Sequence, residues 1–138
     1  MEEKQKSILW IDDDINNPEL ASDRDALEER NCNITPVTSP DEFKLESIPS
    51  FDCIIIDLSM PVGKKLNLAE TRYGSRTGFV IIKKIKEKYS NSKLIVYSVF
   101  DVPEVRSYCN ENGIHYWNKS RFMSDEFADK VIKLIDEE

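Results

Sequence analysis

Five short apolar runs punctuate the chain, at Ile8–Ile11, Ile34–Thr38, Cys53–Ile56, Leu94–Tyr97 and Ile114–Trp117. Their hydrophobic positions are mostly consecutive rather than alternating, the pattern of strands covered on both faces. Stretches of helical character separate them. Strand alternating with helix predicts an α/β sandwich, with a parallel sheet between two layers of helices.

Local signals mark where the helices begin. Asn17 before Pro18 reads as a cap followed by a proline at the first helical position, where no N–H is needed, and predicts a first helix to about Arg30. Ser39-Pro40-Asp41-Glu42 has the form of a capping box opening a short second helix. From Gly78 onward, Phe79, Ile82, Ile85 and Tyr89 recur at three- and four-residue steps with Lys83, Lys84, Lys86 and Lys88 between them, an amphipathic third helix. Asp101 with Glu104 is suited to cap a fourth helix that Asn112-Gly113 ends. Ser124 is suited to cap a fifth, in which Asp125 and Glu126 sit at the positive helix start and Phe127, Val131, Leu134 and Ile135 form one apolar face. No internal repeat or interdomain linker is visible.

At 138 residues the chain has the size of one domain, 1–138. Its 40% hydrophobic and 33% charged residues place it among packed globular proteins. A net charge of -7 argues against direct binding of nucleic acid or an anionic membrane, both negative themselves, and leaves proteins or small ligands as partners. Cys32, Cys53 and Cys109 lack CxxC spacing and are odd in number, so reduced, partly buried thiols are expected rather than a disulfide framework or zinc site. The N-terminus carries no apolar signal core, because charges close in after Ile11, and the expected location is cytoplasmic.

In a doubly wound parallel sheet the functional crevice lies outside the carboxyl ends of the strands. Those ends carry Asp12-Asp13-Asp14, then Asp57, then Ser98, then Asn118-Lys119. Clustered carboxylates repel unless a cation neutralises them, and oxygen-only ligation suits Mg²⁺ (or Mn²⁺), so a divalent metal is implied. Beside a metal and Lys119, an aspartate can attack phosphorus, and Ser98 can hydrogen-bond a phosphoryl oxygen. Taken singly, an Asp-Asp-Asp run is more often a helix cap or an exposed turn than a metal site. The information lies in the residues occurring together, in this order, at strand ends.

With those residues in that order, the whole chain resembles the receiver domains of response regulators in two-component signalling. Asp12-Asp13 is similar to the family's acidic pair, Asp57-Leu58-Ser59-Met60-Pro61 to its phosphoacceptor segment, Ser98 to its hydroxyl position and Lys119 to its lysine. The resemblance implies a flavodoxin-like three-layer sandwich, with a five-stranded parallel sheet in the order 2-1-3-4-5 and five helices. It implies Asp57 as phosphoacceptor, with Mg²⁺ held by Asp13 and Asp57 through side chains, by Ser59 through its backbone carbonyl and by Asp12 through water. Asp14 is then an acidic bystander. Tyr116 matches the aromatic switch position, although alone it reads more readily as a core aromatic; His115 reads as a structural or surface residue. The implied partners are a histidine kinase or histidine phosphotransfer protein and a downstream protein, with a homodimer left open. The implied activity is regulatory, limited at most to the protein's own phosphorylation and dephosphorylation. With no segment after the fifth helix, at Glu138, output is expected to pass through a partner.

Three departures from that pattern stand out. An insertion at about 62–77 carries Lys64, Lys65, Arg72 and Arg76 against the single acid Glu70, and reads as a lid or partner-contact arm beside the site, or as a mobile solvated loop. Val99 stands where alanine is frequent and is expected to narrow access to the phosphoryl group. Ser120 replaces the proline that commonly follows the lysine, leaving the geometry before the last helix open. Two other readings compete. A pseudo-receiver would keep the fold as a binding module without phosphorylation. A haloacid-dehalogenase-type phosphohydrolase would use Asp12-x-Asp14, Ser98 and Lys119, but Asn16 does not suit its motif, no acidic pair closes a strand after Lys119, and Asp57 would be unexplained.

Overall fold

The computed structural model describes residues 4–72 and 74–137. Residue 73, inside the predicted insertion, and Glu138, the predicted end of the last helix, lie outside the described residues. Five parallel strands, β1 (Lys6–Ile11), β2 (Cys32–Val37), β3 (Cys53–Ile56), β4 (Leu94–Ser98) and β5 (His115–Asn118), form one sheet in the order β2-β1-β3-β4-β5. Ile8 pairs with Cys53, Ile56 with Val96 and Ser98 with Asn118.

Every residue of β3 and β4 is buried, which explains their unbroken apolar sequence, since helices cover both faces. Successive side chains point to opposite faces, and the sheet therefore feeds two cores. Leu9, Ile11, Ile54, Ile56, Leu94 and Val96 pack beneath α2 (Thr77–Lys88) and α3 (Pro103–Glu111). Ile8, Trp10, Ile55, Ile95 and Tyr97 pack beneath α1 (Pro18–Glu29) and α4 (Ser124–Asp136). The three cysteines are free and buried. Among the described residues no helix is long and apolar enough to cross a membrane.

The caps differ from the sequence pattern in instructive ways. Asn17 behaves as predicted, its side chain accepting the Glu19 amide at 3.0 Å. The second helical position is a pair of 3₁₀ turns, Pro40–Glu42 and Leu45–Ser50. Ser39 accepts the Asp41 amide at 3.2 Å, but Glu42 turns to the Thr38 hydroxyl instead of closing the box. Pro49 lacks an N–H and disfavours helical backbone at Ile48, so no longer helix forms. Asp101 and Glu104 do not cap α3; they pair with Arg106 and Arg72. Ser124 does not cap α4, whose capping position is Met123.

The inserted segment is tied to the body of the protein. Asp41 accepts the Lys64 amide at 2.8 Å and the Lys65 amide at 3.2 Å. Gly63 makes this approach feasible, since at φ +73° any Cβ would lie 2.8 Å from the Asp41 carboxylate. Farther along, the Asn67 side chain accepts the Ala69 and Glu70 amides, and the Thr71 carbonyl accepts the Arg76 amide at 2.7 Å. Met60 and Gly74 join through a backbone bond of 3.1 Å, while the buried Thr77 hydroxyl donates to the Met60 carbonyl at 2.8 Å. Where the segment re-enters the fold, the Gly78 amide donates to the Leu58 carbonyl at 2.9 Å. A Cβ on Gly78 would lie 1.9 Å from the Asp57 carbonyl oxygen, so only glycine lets α2 start against the end of β3.

The charge-assisted Asp41 anchor generates a direct test. Asp41→Ala removes the acceptor for two amides, a loss of about 1.5–3 kcal/mol per such bond locally. Limited trypsin digestion of the variant is expected to cut after Lys64 or Lys65 under conditions where the wild type resists; equal resistance would show that the anchor does not hold the segment.

Candidate functional site

The carboxyl ends of β1, β3, β4 and β5 converge on a cleft of about 750 Å³ lined by Asp13, Asp57, Ser59, Lys119 and the inserted segment's Gly74 and Ser75. β1 delivers Asp12 fully buried and β3 delivers Asp57 at 6% exposure, while Asp13 is exposed at the mouth. One carboxylate oxygen from each of the three lies within 4.8 Å of the others. The Lys119 ammonium, brought in from the end of β5, stands 2.7 Å from Asp12 Oδ2 and 2.9 Å from Asp57 Oδ2. The other Asp57 oxygen accepts the Leu58 amide at 2.7 Å, and Asp12 Oδ1 accepts the Asp14 amide at 2.9 Å.

Three carboxylates against one ammonium leave two negative charges uncompensated. Burial pushes the Asp12 carboxyl above the usual carboxylate pKa; Lys119 pulls it down, and the charge on Asp57 pushes it up again. Asp13 is raised by partial burial and by neighbouring Asp14. For Lys119 burial disfavours the charged form, but Asp57 and Asp12 outweigh it and hold the pKa above the ordinary lysine value. Asp12 Oδ2 is buried and, although close to Lys119, receives no well-directed hydrogen bond. An all-oxygen donor set and two excess negative charges fit a hard divalent cation such as Mg²⁺. Asp12, Asp13 and Asp57 are the side chains that would hold it, and Ser59 lines the same cleft.

Ser98 and Tyr116 are arranged around a different point. Ser98 is fully buried and its hydroxyl accepts the Phe100 amide at 3.2 Å. The half-buried Tyr116 donates its hydroxyl to the Phe100 carbonyl at 2.5 Å and accepts the Val102 amide at 3.2 Å. Both side chains therefore grip the same residue, and the Arg106 guanidinium lies 4.3 Å from the Tyr116 ring centre. Phe100 and Val99 are each 55% exposed and line the cleft. His115 is exposed, with its ring against Trp117. The Lys119–Ser120 peptide bond is trans; Ser120 donates its amide and hydroxyl to the Asn118 side chain at 2.9 and 2.6 Å.

Sequence reasoning found the charged cluster but missed Phe100 as the shared link and Asp41 as the anchor of the insertion. For Phe100 no sequence signal exists, because its backbone makes the contacts. For Asp41 the neighbouring Ser39 and Glu42 pointed to a cap.

The sequence matches no family model and no curated protein. Solved structures do match. The chain is similar to a CheY-like response regulator receiver domain protein from Methanospirillum hungatei JF-1, at 18% identity and a TM-score of 0.69, covering 96% of this chain and 95% of that one. It is similar to the non-phosphorylated HemR receiver domain from Leptospira biflexa, at 18% identity and a TM-score of 0.70, covering 97% of each chain. The Francisella response regulator 1452 receiver domain aligns at 23% identity and a TM-score of 0.68, covering 95% of this chain and 97% of that one. The chain therefore has the fold of response regulator receiver domains.

The uncompensated charge generates the second test. Asp13→Asn removes one of the mutually repelling carboxylates, so without divalent cation the variant is expected to melt no lower than wild type. Added Mg²⁺ should raise the wild-type Tm by mass action and leave the variant's nearly unchanged. An equal rise in both would remove Asp13 from the metal site.

Proposed function

We propose that the chain is a phospho-accepting receiver, in which Asp57 takes a phosphoryl group from a histidine kinase or histidine phosphotransfer protein in a Mg²⁺-dependent reaction. The observation that carries this reading is the Lys119 ammonium held between the buried carboxylates of Asp12 and Asp57, in a cleft that still has excess negative charge. A carboxylate oxygen of Asp57 attacks phosphorus and forms the new O–P bond. The bond from phosphorus to the donor breaks, and its electron pair leaves with the donor. Lys119 offsets charge on the phosphoryl oxygens, and Ser98, now bonded to the Phe100 amide, hydrogen-bonds one of them after shifting toward it. Mg²⁺ or Mn²⁺ on Asp12, Asp13, Asp57 and the Ser59 carbonyl would supply the remaining positive charge.

The receiver reading treats residues 1–138 as one unit interrupted at about 62–77, and the inserted segment as a rim of the cleft that an incoming donor meets. Ser98 and Tyr116 both fasten on Phe100, so a shift of Ser98 toward a phosphoryl group is transmitted to Tyr116. The output surface is then the face of α3, β5 and α4, read by a downstream protein without direct contact to nucleic acid. The protein acts as a regulator whose own chemistry is limited to gaining and losing the phosphoryl group.

Incubation with acetyl phosphate and Mg²⁺, followed by intact-mass and peptide analysis, tests the reading. Wild type is expected to gain one alkali-labile, hydroxylamine-sensitive phosphoryl group on Asp57, and Asp57→Asn to gain none. Failure of wild type to react, with Mg²⁺ bound, would favour a pseudo-receiver; label on Asp12 would favour the phosphohydrolase reading. Val99 at the cleft rim generates a further expectation. Val99→Ala should shorten the aspartyl-phosphate lifetime severalfold, less than the tenfold that about 1.4 kcal/mol of barrier would give, and equal lifetimes would remove Val99 as a gate.

A further inference from the structure

The segment that leads out of Lys119 is fastened from the opposite side of the sheet. Tyr97, fully buried on β4, shares its single hydroxyl proton between Asp23 Oδ2 of α1 at 2.9 Å and the Lys119 carbonyl at 3.3 Å. Ser124, the first residue of α4, donates its hydroxyl to Asp23 Oδ1 at 2.7 Å. Asp23 is 7% exposed, and among the described residues no lysine or arginine forms an ion pair with it. Carboxylates this buried are ordinarily paired with a cation; this one is satisfied by two hydroxyls from elements on either side of the Lys119 segment.

We infer that Asp23 is a positioning residue for Lys119, fixing both ends of residues 119–124 through the hydroxyls of Tyr97 and Ser124 so that the ammonium stands between Asp12 and Asp57. The inference rests on the receiver reading for its chemical consequence, but its geometric content stands on this network alone.

Two features separate this role from ordinary helix packing. Ser124 is the residue type that caps a helix start, yet its hydroxyl reaches across to α1 and leaves α4 without a side-chain cap. A favourable local contact is forgone for the tertiary one. Furthermore, α1 and α4 are already joined at the surface by Arg30, which pairs with Asp129 at 2.9 Å and Asp125 at 3.4 Å. Burial, Asp23's charge and its hydrogen bond all push the Tyr97 phenol far above its ordinary pKa, so it remains a donor throughout the neutral range. At its near end the segment has the Ser120 bonds to Asn118 and the Arg121 amide on the Asn118 carbonyl at 3.2 Å. At its far end Ser124 bonds Asp23, and the Phe122 ring packs edge-on against Trp117 at 6.1 Å.

The test measures Lys119 itself, in the full chain, for wild type, Tyr97→Phe, Ser124→Ala and the conservative Ser124→Thr, each well below its own melting temperature. Nuclear magnetic resonance of the Lys119 ammonium, without any phosphodonor, is expected to show displaced and faster-exchanging signals in Tyr97→Phe and Ser124→Ala, and near wild-type signals in Ser124→Thr. With acetyl phosphate at saturating Mg²⁺, the first two should react roughly tenfold or more slowly, as expected when a reacting constellation is displaced by a fraction of an ångström. Mg²⁺ affinity should hold, because Asp12, Asp13 and Asp57 are untouched. Unchanged Lys119 signals in folded Tyr97→Phe and Ser124→Ala would overturn the inference, whatever their melting temperatures. Absence of phosphorylation in wild type would count against the receiver reading, while the ammonium signals would still decide the positioning role.

Discussion

The repulsion among three carboxylates gathered at the ends of two neighbouring parallel strands is the constraint around which the rest is arranged. Asp12 and Asp57 are buried there, where a charge without compensation is costly. Lys119 supplies one compensating charge from a third strand, and the remaining imbalance is what makes the cleft suited to a divalent cation. The supporting structure has two tasks: to keep the carboxylates close despite their repulsion, and to keep the lysine from moving away to solvent.

The first task falls to the sheet and to Gly78. The register of β1 against β3 sets Asp12 and Asp57 side by side, each one residue beyond the paired Ile11 and Ile56. The start of α2 closes so tightly on the end of β3 that a single added Cβ would collide with the Asp57 carbonyl. The second task falls to contacts from the α1 and α4 side, where Tyr97, Asp23 and Ser124 meet. The site is thus braced from both layers of the sandwich, and the two cores that the strands create are coupled at their common carboxyl edge.

The inserted segment is a folded rim with its own internal bonds. Asp41 holds one end, Thr77 the other, and Arg72 reaches Glu104 of α3 at 3.4 Å. That last pair is exposed on both sides and contributes little energy by itself. Its interest lies in connecting the rim to the helix that also carries Arg106, the residue stacked on Tyr116.

How much of this was legible in the sequence depends on the range of the interaction. Strand and helix order, the two-sided burial of β3 and β4, the Asn17 cap and the polar residues at strand ends are local, and hydrophobic pattern together with residue type determined them. That Asp12, Asp57 and Lys119 meet was accessible because a parallel sheet necessarily brings its carboxyl ends together. The fates of Asp41, Glu104 and Ser124 were decided only by tertiary structure. Each has the chemistry of a cap, but a short polar side chain bonds whichever partner the folded chain places nearest, and for Asp41, Glu104 and Ser124 that partner lies 23 or more residues away. The same holds for Gly78, whose need for a bare Cα arises from the approach of the β3 backbone, and for Asp23, whose burial beside Leu20, Ala26 and Leu27 has meaning only once Tyr97 and Ser124 are packed against it.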